Sequence, residues 1–265
     1  MKEKEMSCLS DFVIGSDSMK LIKKQKVGAS ITDSLANLSV IGIFQTVEDA
    51  VTELMGELKA DNITMKKADN AIWVFTKNRI KILKNIAWNE DFYTACFISS
   101  ITRATVNVDI AIKSKSEELC AYARVELCAL DLQTERIKRI STVGIVDRIM
   151  PEKPEMDIAF TGFDRGELPE CGQVQVKYTN IDFSRHTNNI EYIRFILNTY
   201  SVRELEARPV KEMEILYTNQ SFEDDVLTIR RGSLEGKDVF MLQKEDKVVA
   251  RSEIVFENDK MRRGI

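Results

Sequence analysis

The segment DFSRHTNNIEYIRFIL (182–197) contains the only histidine in a chain of 265 residues. Asp182, Ser184 and His186 stand at every second position, just before an apolar run with helical spacing. In an extended segment alternate side chains share a face, so these three would line one cleft. Histidine, with an unperturbed pKa of about 6.5, is a natural general base, and Asp182 could orient it or itself activate a water. The pattern favours acid–base activation of water.

Two other interpretations of the same residues stay open. Ser184 could be the nucleophile of a Ser-His-Asp triad. However, residues two apart on a strand have Cα atoms about 6.6 Å apart and parallel side chains, which suits lining a cleft better than passing a proton from one side chain to the next. Asp182 and Asn188 could instead be ordinary turn and N-cap residues, with His186 in a capping or surface position. For an isolated histidine before a helix, this structural interpretation is the more common one.

The composition excludes several other kinds of site. A single histidine excludes a multi-histidine metal centre. The chain has no CxxC, GxGxxG, Walker or GxSxG motif. We therefore expect neither a metal nor a cofactor. The net charge of −4 argues against nucleic-acid binding, which usually needs a basic excess.

Apolar residues make up 44% of the chain and charged residues 30%, which is typical of a globular protein with a core. The first residues lack the apolar region of a signal peptide, and no apolar run approaches the roughly 18 residues that span a bilayer. These observations predict a cytoplasmic protein without membrane insertion. The five cysteines are irregularly spaced, so we expect reduced, mostly buried thiols at Cys8, Cys96, Cys120, Cys128 and Cys171.

Three of the four prolines fall within residues 150–172, which lack a clear hydrophobic period. Proline removes a backbone donor and disfavours helix in its predecessor, so this segment is predicted to be a linker. It separates an N-terminal domain, residues 1–149, from a C-terminal domain, residues 173–265.

The two domains show the same order of elements. Strand-like segments at 19–29 and 172–182 each lead to a helical pattern, over 31–58 with Thr32 or Asp33 as N-cap, and over 187–207 with Pro209 as its end. Strand-like runs follow at 71–83, 92–112, 119–132 and 136–146, and at 211–222, 225–234, 237–246 and 247–258. A helix followed by a meander, occurring twice, predicts an α+β duplication. A long helix wrapped by a curved antiparallel sheet is a hot dog, so two copies would form a double hot dog.

The central segment resembles the signature of the acyl-acyl-carrier-protein (acyl-ACP) thioesterases. That pattern is D-x-N-x-H-x-N-N before a helix that opens with an aromatic residue, and the matching positions are Asp182, His186, Asn188, Asn189 and Tyr192. AIWVFTKNRIKIL (71–83) is similar to the tryptophan-bearing strand of the family's first domain. EMEILYTNQSFEDDVLTI (212–229) looks like its later strand with a glutamate and often a cysteine. Three positions depart from the pattern, because Ser184 replaces an asparagine, Gln220 the glutamate and Ser221 the cysteine.

The resemblance implies a tandem hot dog that hydrolyses fatty acyl-ACP without metal or cofactor. It implies an acidic acyl carrier protein as partner, which delivers the acyl chain on its phosphopantetheine arm, and an acyl pocket in the N-terminal domain. A homodimer is compatible with this interpretation. The alternatives are an acyl-CoA thioesterase and a non-catalytic acyl-binding protein of the same fold.

The resemblance also implies roles for particular residues. The helix N-terminus near Asn188 would stabilise the oxyanion, as hot-dog proteins use it. Asn188 and Asn189 are expected to bind substrate, and the expected catalytic residues are Asp182, Ser184, His186 and Gln220.

Overall fold

The computed structural model describes residues 11–15, 18–144, 149–163 and 166–257. Four helices lie in this part of the chain, α1 (Val40–Glu57), α2 (Asn62–Asp69), α3 (Asn189–Leu197) and α4 (Val202–Ala207). The strands are β1 (Asp11–Gly15), β2 (Ser18–Lys26), β3 (Ala71–Ile82), β4 (Asp91–Ile101), β5 (Val106–Ser114), β6 (Leu119–Asp131), β7 (Glu170–Gln175), β8 (Val210–Tyr217), β9 (Val226–Leu234), β10 (Lys237–Lys244) and β11 (Lys247–Phe256).

All the described strands belong to one antiparallel sheet in the order β1-β2-β4-β5-β6-β3-β8-β11-β10-β9-β7. The order is symmetric about the β3–β8 pair, where Lys77 lies opposite Leu216 and Lys81 opposite Glu212. Outward from this seam, β6, β5, β4 and β2 of the first half correspond to β11, β10, β9 and β7 of the second. The predicted α+β double hot dog is therefore confirmed.

Helix α1 lies against the sheet in the first half and contacts α3 of the second. Its buried side chains include Phe44, Val47, Val51 and Leu54, which recur at the three- and four-residue spacing of one helix face. Ser39 caps the helix by accepting a hydrogen bond from the Gly42 backbone N–H at 2.9 Å. A Cβ at Gly42 would lie only 2.6 Å from the Ile31 carbonyl oxygen, so this close approach of the backbone requires glycine.

The same loop precedes α1 and α3. We call residues 32–39 the first-half loop and residues 181–188 the motif loop. In each, an aspartate side chain accepts from the backbone N–H two residues later, at 2.9 Å for Asp33 and 2.7 Å for Asp182. Each contains one residue in the left-handed region, Ala36 (φ 57°) and Arg185 (φ 67°). The two halves therefore resemble each other down to individual hydrogen bonds in these loops.

The predicted start of the first helix is wrong. Asp33 does not cap a helix, because its Oδ1 accepts from the N–H groups of Leu35 and Asn37 and so forms a turn. The helix begins only at Val40.

The second predicted helix is wrong in its length, since 187–207 is divided into α3 and α4. Ser201 and Glu204 form a capping box that starts α4. The Tyr200 hydroxyl donates to Asp238 at 2.7 Å, which fixes the bend between the two helices.

Three predicted strands also differ from the structure. Residues 92–112 form β4 and β5 with a turn between them, and β7 ends at Gln175, before residue 182. Residues 136–144 of the predicted strand 136–146 hold a 3-10 turn at Ile140–Thr142, and Ile137 makes a single bridge to Leu130. An isolated apolar run without a free sheet edge beside it has no partner for a full strand.

Residues 150–163 of the predicted linker lie in irregular structure on the sheet. Glu152 N–H donates to the Ile98 carbonyl at 2.8 Å, and Ile158 is buried beside Ala111 and Tyr122. The linker therefore packs as part of the fold, and β7 already begins at Glu170, inside its predicted range. Cys96, Cys120 and Cys128 are buried free thiols and Cys171 is an exposed one, while Cys8 lies outside the described residues.

Candidate active site

A polar cavity of about 320 Å³ lies between the two halves of the chain. One wall comes from the first half, with side chains of α1, α2 and β3. The other comes from the second half, with the motif loop, the first turn of α3 and residues 217–220. The cavity is therefore composite, and neither half alone encloses it.

The structure brings five of the six predicted site residues to this cavity, namely Asp182, Ser184, His186, Asn189 and Gln220. The geometry that brings the first three together differs from the prediction. Residues 182–186 form a tight turn, in which Asp182 N–H donates to the His186 carbonyl at 3.1 Å and Arg185 N–H to the Asp182 carbonyl at 3.0 Å. A turn, and not an extended segment, places these side chains in one wall.

His186 lies with its Nδ1 atom toward two acceptors. Nδ1 is 3.3 Å from the Thr187 carbonyl oxygen and 3.8 Å from Asp182 Oδ2. A hydrogen on Nδ1 would serve both, which leaves Nε2 as an acceptor. These two contacts can orient the imidazole, so that Nε2 is available to accept a hydrogen bond from a water or from the substrate.

Asn188 is the N-cap of α3, because its Oδ1 accepts from the Ile190 N–H at 2.8 Å. This contact gives its side chain a structural role instead of the expected substrate contact. The backbone N–H of the next residue, Asn189, has no acceptor within the described part of the chain. It stands at the positive end of the helix and can stabilise a negative charge there.

Ser221, which does not line the cavity, anchors the motif loop. Its side chain is fully buried, and its Oγ hydrogen-bonds to Thr187 Oγ1 at 2.7 Å and to the Tyr192 hydroxyl at 2.8 Å. The Thr187 backbone N–H also donates to the Ser221 carbonyl at 2.8 Å. Ser221 is therefore a positioning residue that ties the loop to α3 and to the segment carrying Gln220.

Replacing Ser221 by alanine should lower the free energy of unfolding by about 1–2 kcal/mol, because the Thr187 and Tyr192 hydroxyls each lose a buried partner. Urea denaturation followed by fluorescence measures this change. The exposed Ser116→Ala variant is the control and should remain within about 0.5 kcal/mol of the parent. Equal stability of the two variants would contradict the anchoring role.

Glu48 is a cavity residue that the sequence analysis missed. It lies on α1, partly buried, and Asn189 Nδ2 donates to its Oε1 at 3.4 Å across the two halves. The pKa of Glu48 is raised to about 7, chiefly by burial; the hydrogen bond from Asn189 lowers it, and the negative charges of Asp49 and Asp182 add to the rise. A signal was present in the sequence, because Glu48 stands on the apolar stripe of its helix, four residues after Phe44 and three before Val51.

The raised pKa of Glu48 predicts a stability that depends on pH. The carboxyl group binds its proton more tightly in the folded than in the unfolded chain, so ionising it costs stability as the pH rises through about 7. Glu48→Gln should therefore raise the free energy of unfolding only slightly at pH 5 and by up to about 3 kcal/mol at pH 8. Urea denaturation at both pH values tests this, with the exposed Glu57→Gln as control. A gain that is the same at both pH values would contradict it.

A second, apolar cavity of about 180 Å³ adjoins the polar one, and all its lining residues except Phe183 come from the first half. Thr52, Asn62, Trp73, Phe75 and Phe183 line both cavities, so the two are continuous. The far side is lined by buried apolar side chains, among them Val51, Met55 and Leu127. The Trp73 indole N–H donates to the Ala60 carbonyl at 2.8 Å, which fixes the ring between the cavities.

The fold and this two-part cavity define a double hot-dog protein with room for a polar group joined to an apolar tail. None of the described helices is both long and apolar enough to span a membrane. The family model of the acyl-ACP thioesterase N-terminal domain matches residues 22–146, and that of the C-terminal domain matches residues 165–263. The chain belongs to the acyl-ACP thioesterase family.

Individual relatives are distant. The chain is 21% identical to oleoyl-acyl carrier protein thioesterase 2, chloroplastic, of Arabidopsis thaliana. That alignment spans 180 residues, which are 63% of this chain and 49% of the relative. The chain is 19% identical to the chloroplastic dodecanoyl-[acyl-carrier-protein] hydrolase of Cinnamomum camphora. That alignment spans 221 residues, which are 74% of this chain and 56% of the relative. The chain thus spans about half the length of these curated relatives. A crystal structure of an acyl-ACP thioesterase from Bacteroides thetaiotaomicron has the same fold, with a TM-score of 0.84 at 19% identity over 90% of this chain and 98% of that one.

Proposed function

We propose that the protein hydrolyses the thioester of fatty acyl-ACP to a free fatty acid and the carrier's thiol. The observation that carries the proposal is the composite cavity, in which the Asp182–His186 pair and the start of α3 meet an apolar pocket of the first half. The polar part suits the reacting thioester and the apolar part suits the acyl chain. Membership of the family supports the same assignment.

The polar groups have distinct roles in this proposal. Asp182 orients His186, and Nε2 of His186 accepts a hydrogen bond from the attacking water and so holds and polarises it. The Asn189 N–H and the positive end of α3 stabilise the oxyanion that forms as the water adds to the thioester carbon. Ser184 and Gln220 line the cavity and position substrate or water. Ser184 makes no hydrogen bond with His186 among the described residues, so a water nucleophile is favoured over Ser184.

The partner follows from this substrate. An acyl carrier protein presents the acyl group on a phosphopantetheine arm, and the exposed Phe183, which lines both cavities, stands where that arm would enter. The division into residues 1–149, 150–172 and 173–265, with the acyl pocket in the first part, and the cytoplasmic location stay predictions.

A panel of matched acyl-ACP and acyl-CoA thioesters, assayed for release of free thiol, tests the function. We expect release from the carrier substrates to exceed that from CoA substrates by at least about tenfold in kcat/KM. Equal rates would favour the acyl-CoA thioesterase. Tight binding of acyl-ACP without turnover would favour the non-catalytic acyl-binding protein.

A further inference from the structure

We propose that Glu48, contributed by the first half of the chain, is the general base of this site, taking the proton of the attacking water while the Asp182–His186 pair holds that water by its other hydrogen. The proposal rests on the thioesterase function proposed above. It assigns a proton acceptor to α1, on the opposite wall of the cavity from the motif loop.

The position of Glu48 is the first support. It faces Asn189, the residue whose backbone N–H is placed to stabilise the oxyanion, and its Oε1 is 3.4 Å from Asn189 Nδ2. One helical turn further along α1, Thr52 lines the junction of the polar and apolar cavities. An acyl chain that extends into the apolar cavity would therefore place its carbonyl carbon beside Glu48.

The duplication gives an independent argument. The motif loop and the first-half loop align at a constant offset, which pairs Asp182 with Asp33 and His186 with Asn37, and pairs Glu48 on α1 with Leu197 on α3. In the position equivalent to the cavity there is thus neither an imidazole nor a second carboxyl group. His186 and Glu48 come from opposite halves of the chain but line one site, and neither occurs in the equivalent position. This pattern is expected of two residues that act in the same reaction.

Among the described residues, no Lys or Arg lines the cavity beside Glu48. The groups that face it are Asp49 on its own helix, Asp182 and His186 on the motif loop, Tyr192 on α3 and Tyr217 on β8, and no ion pair joins Glu48 to a Lys or Arg within the described residues. A partly buried carboxyl group without a cation costs stability. Burial holds the pKa of Glu48 at about 7, so both the acid and the base forms are present near neutral pH, as proton transfer requires.

The proton balance closes with groups of the cavity. One O–H bond of the water breaks and its proton moves to the Glu48 carboxylate, while the water oxygen bonds to the thioester carbon and gives a tetrahedral oxyanion. The oxyanion collapses, the C–S bond breaks, and its electron pair leaves on sulfur. The sulfur takes the proton from Glu48, which restores the carboxylate. The products are the fatty acid and the thiol of the carrier.

The test is Glu48→Gln in the full chain, assayed on dodecanoyl-ACP across pH 5–9. Glutamine keeps the acceptor for Asn189 and cannot take a proton, so a purely structural role of Glu48 predicts parent activity. We expect kcat to fall by about 10² or more. The parent should lose activity as the pH falls below about 7, because Glu48 becomes protonated, and the pH at which activity falls should change in the variant, where residue 48 no longer titrates.

Two further variants complete the experiment. Asp49→Asn removes the adjacent, solvent-facing carboxylate and should keep the parent kcat, with the acid limb moved slightly to lower pH. Glu48→Ala opens space for a small carboxylate, and formate should restore part of its activity. Binding of a non-hydrolysable thioether analogue of dodecanoyl-ACP should be the same in all variants.

The outcomes separate this proposal from the function itself. Parent activity in Glu48→Gln, or a loss that leaves the acid limb in place and is not rescued by formate in Glu48→Ala, overturns the assignment of Glu48 and leaves the thioesterase function standing. A parent protein that hydrolyses none of the thioesters overturns both. Loss of activity together with a shift of the acid limb and rescue of Glu48→Ala by formate, beside an active Asp49→Asn, establishes Glu48 as the base.

Discussion

Replacing His186 by alanine should lower the turnover of acyl-ACP by about 10² or more while the fold is retained. His186 Nδ1 faces Asp182 and the Thr187 carbonyl, so the ring is held in one orientation and its loss leaves the attacking water without its partner. The side chain is 24% exposed in the cavity wall and is not part of the core, so little stability depends on it. Thiol release at saturating substrate measures the effect.

Asn37 provides the matched control for His186, since it occupies the equivalent position in the first-half loop. Asn37→Ala should keep the parent turnover. Parent turnover in a folded His186→Ala variant would instead return the histidine to a capping or surface role. The two loops have equivalent backbone hydrogen bonds between residues 33 and 37 and between residues 182 and 186. A loss of turnover caused only by destabilising such a loop would therefore be expected in both variants.

Replacing Thr52 by tryptophan should change the selectivity for acyl length by about 10². Thr52 lines both cavities at their junction and is itself exposed, so a larger ring can be added there without disturbing the core. Excluding about four methylene groups from the apolar cavity would cost about 3 kcal/mol of binding in the transition state. We expect kcat/KM for dodecanoyl-ACP to fall and that for butanoyl-ACP to remain.

Glu57→Trp is the control for Thr52→Trp, because Glu57 is an exposed residue of the same helix outside both cavities. It should leave the selectivity unchanged. A Thr52→Trp variant that loses short and long substrates equally would show that the acyl chain does not enter the apolar cavity.

Much of the fold follows from sequence pattern, because long apolar stripes and alternating strands have few other ways to be buried. The errors occur where short-range contacts compete with that pattern. Asp33 satisfies two backbone N–H groups in a turn, and the Ser201–Glu204 capping box divides a continuous apolar stripe into two helices. These side-chain contacts are invisible to hydrophobic periodicity.

The candidate site shows the same limit. The single histidine and its spacing from Asp182, together with the family resemblance, indicated the motif loop. The positive φ of Arg185, which turns the loop, has no sequence signal at an arginine. Glu48 stands more than a hundred residues before His186, so only the packing of α1 against α3 brings it to the cavity. A carboxylate on an apolar helix face was the one available sign of it.

The divergence of the two loops also has a stoichiometric consequence. A symmetric pair of identical hot dogs would present two equivalent reaction centres, one at each helix start. Here Asn37 and Leu197 take the places of His186 and Glu48, so one of the two centres keeps Asp33 but has neither the imidazole nor the second carboxyl group. A chain saturated with acyl-ACP should therefore react with one acyl group at a time, and a single-turnover experiment should release one equivalent of thiol per chain.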